Sequence, residues 1–93
     1  MTSEKFQIFK DRVQVYLDCS AFDVKALKAN LETPSNTELL KIFKTELLTA
    51  IQSDTLDRHV YEELTGLDFD DDLSYKDYLQ VIYNYLFAGG AQP

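Results

Sequence analysis

A chain of 93 residues that is 45% apolar has room for one domain with a modest core, and is too apolar to stay disordered. Its net charge of −7 disfavours direct contact with nucleic acid or an anionic membrane. The single cysteine, Cys19, excludes an internal disulfide, no apolar run approaches the roughly 18 residues of a membrane span, and the polar start MTSEKFQIFKDR lacks a signal-peptide pattern, which together predict a cytoplasmic protein.

Helical spacing recurs along the chain and strict alternation is scarce, which predicts an all-α fold: a compact bundle of four to five short helices in a single domain spanning residues 1–93. The first helix is expected near 3–18, capped by Ser3. Its stripe is Phe6, Phe9, Val13, Tyr16 and Leu17, widened by Ile8 and Val15. Asp23 offers a fresh cap for a short helix near 23–31 carrying Val24, Leu27 and Leu31. In ETPSNTE, Pro34 suits a first turn, and Ser35 with Glu38 has capping-box spacing. The helix that follows, near 35–52, is the most apolar, with Leu39, Leu40, Ile42, Phe43, Leu47, Leu48 and Ile51, and is expected at the centre of the core.

QSDT supplies caps for a fourth helix near 55–65 bearing Leu56, Val60 and Leu64, with Gly66 as its stop. Ser74 with Asp77 suggests the start of a last helix near 74–87, whose stripe is Tyr75, Leu79, Ile82 and Leu86. Residues 88–93, AGGAQP, read as a flexible tail.

The charge is uneven. Residues 1–53 hold seven acids and seven bases, whereas residues 54–77 hold nine acids against two bases, which leaves −7, the net charge of the whole chain. A field so confined is directional and suits a basic protein partner, or serves solubility alone.

The densest stretch, LDFDDDLSYKDY at 67–78, fails as a calcium loop. Counted from Asp68, the position that needs Gly holds Leu73 and the position that needs Glu holds Leu79. No cofactor or metal site is predicted. Cys19 reads as a small core or boundary residue. His59, among Asp57, Arg58 and Glu62, reads as solvated or paired with a carboxylate four residues away. No phosphate-binding, zinc or redox motif occurs, so an enzyme is not expected. A carrier protein would present Asp-Ser-Leu at a helix start, but the order here is Asp72-Leu73-Ser74.

What remains is a surface on which tyrosines interleave with acids. Tyr61, Tyr75 and Tyr78 are candidate anchors, and Glu62, Glu63, Asp68, Asp70, Asp71, Asp72 and Asp77 are candidate steering charges. The alternative is a solvated turn in which Tyr75 faces the core and Asp70–Asp72 only end one helix and favour the start of the next.

DFDDDLSYKDY is similar to the acidic, tyrosine-bearing surface of the DNase-colicin immunity proteins, without the adjacent tyrosine pair and following proline of that group. The longer YEELTGLDFDDDLSYKDYLQVIYNYL resembles the helical immunity proteins of contact-dependent growth inhibition. That resemblance implies a cytoplasmic toxin inhibitor that binds a basic nuclease domain stoichiometrically. Other readings with related physics are a DNA-mimic or phage-type inhibitor of a nucleic-acid enzyme, and a helical adaptor that binds through an apolar groove.

Overall fold

The computed structural model describes residues 6–53 and 56–93. The expected cap at Ser3, and residues 54 and 55 of the QSDT break, lie outside the described residues. Among the described residues the fold is all-α, with five α-helices: α1 (Gln7–Tyr16), α2 (Val24–Glu32), α3 (Thr37–Gln52), α4 (Arg58–Thr65) and α5 (Asp72–Phe87). The most apolar helix, α3, packs against α5, α1 and α2, while α4 docks on α1.

The helical stripes become the core. Phe9, Val13 and Leu17 of the first stripe, Val24, Leu27 and Leu31 of α2, Phe43 and Leu47 of α3, and Tyr75, Leu79, Ile82 and Leu86 of α5 are all buried. Each set recurs every three or four residues, which turns one side of its helix inward. Two residues of the predicted stripes are exposed instead: Val15, at 61%, and Ile42, at 42%. Val15 lies two residues from Val13 and Leu17 and so on the far side of α1. Ile42 directly precedes the buried Phe43, about 100° around the helix.

The helix ends explain where the chain turns. Phe6 precedes α1 with φ 63 and offers no side-chain cap. The third N–H of that helix, Phe9, is met from across the bundle by Glu46 Oε1 of α3 at 2.8 Å. A carboxylate there satisfies an orphan donor and faces the positive end of the helix dipole. The helix stops at Tyr16, short of 18, because Asp18 folds into a local turn and accepts from Ser20 N at 2.8 Å and Ser20 Oγ at 2.6 Å. Asp23 caps α2 as expected, accepting from Ala26 N at 3.0 Å.

The capping box between Ser35 and Glu38 does not form. Pro34–Asn36 make a 3-10 turn, and Asn36 precedes α3 without a side-chain cap bond. The Asn36 amide instead donates to the Asn30 carbonyl at 2.8 Å and ties the turn back to α2. At the far end of α3, the Lys76 ammonium of α5 donates to the carbonyls of Ala50 at 2.6 Å, Ile51 at 3.4 Å and Ser53. A cation at a helix C-terminus is favoured by the dipole and satisfies carbonyls that lack intrahelical donors.

The last helix begins two residues earlier than expected. Its cap is Asp71, which accepts from Ser74 N at 2.8 Å, so Ser74 lies within the first turn. Ala88 N and Gly90 N both donate to the Asn84 carbonyl, at 3.0 and 2.7 Å, with Gly89 at φ 71 making the reversal.

Candidate functional site

Residues 57–77 of the acidic quarter form a shoulder made of α4, the loop 66–71 and the first turns of α5. Asp57 starts it by accepting from His59 N at 2.7 Å. The helix ends at Gly66, whose φ of 75 is the left-handed conformation glycine adopts without a Cβ penalty. Beside it, Cys19 N donates to the Thr65 carbonyl at 2.7 Å, which docks the turn after α1 on the end of α4.

Three of the expected contact residues are withdrawn from the surface. Tyr61 is 0% exposed and Tyr75 is 1% exposed, so both are core side chains and neither is a docking anchor. Tyr61 is the hub of an aromatic cluster. Its ring centroid lies 6.0 Å from Phe9, 5.5 Å from Tyr75, 5.7 Å from Tyr78 and 6.1 Å from Phe69. Tyr78 is half-buried, and its hydroxyl sits 2.9 Å from that of Tyr61. Burial pushes the Tyr61 phenol well up from its ordinary range, and likewise raises Tyr75. Tyr78 is pushed up to about 12 by burial. These three rings are neutral at any physiological pH.

Glu62 is the third. Its carboxylate turns toward the chain and accepts from Phe69 N at 2.9 Å and from the His59 ring at 3.1 Å, with Arg58 Nη1 at 3.5 Å. The Phe69 amide, then His59 and Arg58, hold Glu62 below the usual carboxylate range. His59 is thus paired three residues along α4, not four. Arg58 also donates to the Phe69 carbonyl at 2.8 Å and to Asp72 Oδ1 at 3.0 Å. Asp71 is held low by its bonds to Ser74.

The other acids face water. Glu63, Asp68, Asp70, Asp71, Asp72 and Asp77 are exposed, and Glu63, Asp68, Asp70 and Asp77 have no partner among the described residues. They are spread over α4, the loop 66–71 and the first turns of α5, and the loop's backbone is held by α4 side chains at Phe69. Leu73, 69% exposed, is an apolar side chain that follows Asp72 in the sequence.

Three residues that matter here carry no obvious signal in the sequence. Phe69 is the lone aromatic within LDFDDD, and its ring wedges against Tyr75 and Tyr78 at 5.4 and 5.1 Å. Arg58 is one of only two cations in residues 54–77. Leu73 is a single leucine between acidic and polar neighbours, outside the apolar stripe of the last helix.

The chemistry of the remaining candidates is limited. Cys19 is exposed, not a core residue. It lies beside the C-terminal end of α4, whereas His59 lies in its first turn, a rise of roughly 9 Å along the axis. A shallow cleft of about 200 Å³ is lined by Leu56, Asp57, Arg58, His59, Asp72, Tyr75 and Lys76. Its Arg58 and Lys76 are already engaged with the loop and with the end of α3. Among the described residues no group of three His, Cys, Asp or Glu side chains could hold a metal ion. None of their helices is long and apolar enough to cross a membrane.

Set against known proteins, the chain matches no family model, no curated protein and no solved structure at a significant level.

Proposed function

We propose that this chain is a stoichiometric inhibitor of a basic protein, of the kind represented by bacterial toxin-immunity proteins, and that its partner is a toxin nuclease domain. The observation that carries this reading is the placement of charge. Residues 54–77 hold the chain's entire net charge of −7, and six of their carboxylates are exposed along α4, the loop 66–71 and the first turns of α5. A nuclease needs positive surface to hold a phosphate backbone, and an acidic shoulder covering that surface would block substrate entry. Charge complementarity also speeds encounter and suppresses wrong partners.

Asp68, Asp70, Glu63 and Asp77 are the residues assigned to charge pairing, with Leu73 as an apolar contact. Tyr61 and Tyr75 support the surface from beneath. No catalysis by this chain is required, and its place of action is the cytoplasm, where it would meet an entering or newly made toxin.

The test is capture of partners by the tagged protein from its native cells at low salt, followed by a nuclease assay. The expected result is one basic protein, released by raised salt, whose nuclease activity is lost at one-to-one stoichiometry. A captured nuclease that stays active when saturated would contradict inhibition.

A further inference from the structure

The loop 66–71 is held by more than its own turn chemistry. Both backbone polar groups of Phe69 are taken by side chains of α4: Arg58 Nη1 donates to its carbonyl at 2.8 Å, and Glu62 Oε2 accepts from its N–H at 2.9 Å. The same two side chains face each other at 3.5 Å, and Arg58 Nε reaches Asp72 Oδ1 at 3.0 Å in the first turn of α5. Three consecutive segments are therefore joined through Arg58, which belongs to α4 and reaches both the Phe69 carbonyl and Asp72. Guanidinium suits this role, because its rigid fork presents several donors in fixed directions.

A loop that carried its aspartates only for solubility would need no such fastening. Asp68, Asp70, Asp71 and Asp72 repel one another, and left to water the segment would spread. Phe69 falls between Asp68 and Asp70. Fixing its N–H and carbonyl fixes the peptide groups on either side, and with them the backbone positions from which those two exposed carboxylates project.

We propose that Arg58 and Glu62 form a two-point latch on Phe69, and that they are positioning residues for the acidic shoulder, not contact residues. Loss of either opens the loop as a local unit while the helices stay folded. Local opening of this kind belongs to the low-stability end of a structure, where few buried contacts are at stake. The functional consequence rests on the inhibitor reading given above: a pre-set loop loses less conformational freedom on binding, so an unlatched loop binds more weakly with its charges intact.

The test needs no partner. Amide hydrogen exchange is measured by NMR on the whole chain, for the parent, Arg58→Gln and Glu62→Ala. The Phe69 amide is expected to exchange roughly tenfold faster in both variants, the scale of one lost hydrogen bond, while the amides of Leu47 and Leu79 change by less than about twofold. Unchanged Phe69 exchange in both variants would overturn the latch, since ring packing alone would then hold the loop. Equal acceleration at Leu47 and Leu79, or loss of folding, would overturn it too, because the pair would then support the whole bundle.

A charge-swapped variant, Arg58→Glu with Glu62→Arg, separates a latch from a plain ion pair. It keeps opposite charges four residues apart but turns a carboxylate toward the Phe69 carbonyl and a cation toward its N–H. Fast exchange is expected to persist. Parent-like protection in the swap would show that only the ion pair matters and would sink the proposal. Failure of this test leaves partner binding through Asp68 and Asp70 standing, and failure of partner capture leaves the exchange result standing.

Discussion

The tyrosines show how one residue type can be read in two ways from its chemistry alone. Tyr61, Tyr75 and Tyr78 have apolar rings and a polar end, which suits both a docking anchor and a core position with one hydroxyl partner. The fold places Tyr61 at the hub of five rings, with its hydroxyl 2.9 Å from that of Tyr78. Tyr61→Phe keeps the ring and removes that bond, so a loss of about 1 kcal/mol is expected in urea denaturation. Tyr61→Ala also empties a packed site and is expected to cost about 3–5 kcal/mol. A Tyr61→Ala variant with parent stability would contradict the assigned burial. The phenols also set an alkaline limit. Their folded values lie above the ordinary 10.0, so the neutral forms stabilise the fold fully below that pH. As pH rises past 10 the unfolded chain ionises first, and stability falls until the folded rings titrate, at about 12 for Tyr78. Absorbance titration should show three of the six tyrosines ionising late, together with unfolding. Six tyrosines titrating together near pH 10 in a folded chain would be inconsistent with this packing.

At the scale of the elements, the apolar faces were legible and the helix ends were less so. Val24, Leu27 and Leu31, or Tyr75, Leu79, Ile82 and Leu86, repeat at helical spacing, and burial follows directly from that geometry. Caps depend on backbone angles at single residues. Between Asp70 and Ser74 four side chains could each accept a first-turn N–H, and only the path of the loop selects Asp71. The exposed acids of the shoulder could be read from composition, because charged side chains rarely bury. The network of Arg58, Glu62 and Phe69 could not, since it crosses 7 and 11 residues of chain with no periodicity to mark it. The stop at Gly66 was legible, and its reason is double. A Cβ there would sit at φ +75 and only 2.7 Å from Cys19 Sγ. Gly66→Ala is expected to lose about 1–2 kcal/mol from backbone strain, and more from the contact with Cys19. Adding Cys19→Ala should recover the contact part and leave the strain. A double variant no more stable than Gly66→Ala alone would mean that Cys19 moves aside freely.

For the whole molecule, the distribution of charge dominates. An all-α bundle with an ordinary core carries seven surplus negative charges within residues 54–77, and Glu63, Asp68, Asp70, Asp71, Asp72 and Asp77 among them are exposed. Such a surface acts at a distance, so its effect on encounter weakens as salt rises. The carboxylates differ in what they can lose. Asp71 caps α5 and Asp72 holds Arg58, so their replacement changes structure as well as charge. Asp68 and Asp70 are exposed without such partners and can be reversed with the least structural consequence. The most direct measurement is therefore the affinity of the captured partner for the parent and for Asp68→Lys with Asp70→Lys, taken at two salt concentrations, with circular dichroism to confirm equal folding. The acidic-shoulder account predicts that the reversed variant stays folded and binds at least about a hundredfold more weakly at low salt, with a much smaller salt dependence. Equal affinity of the two folded proteins would contradict it, and would move the search for the binding face to the apolar side chains that α3 and α5 leave exposed at Ile42 and Val81.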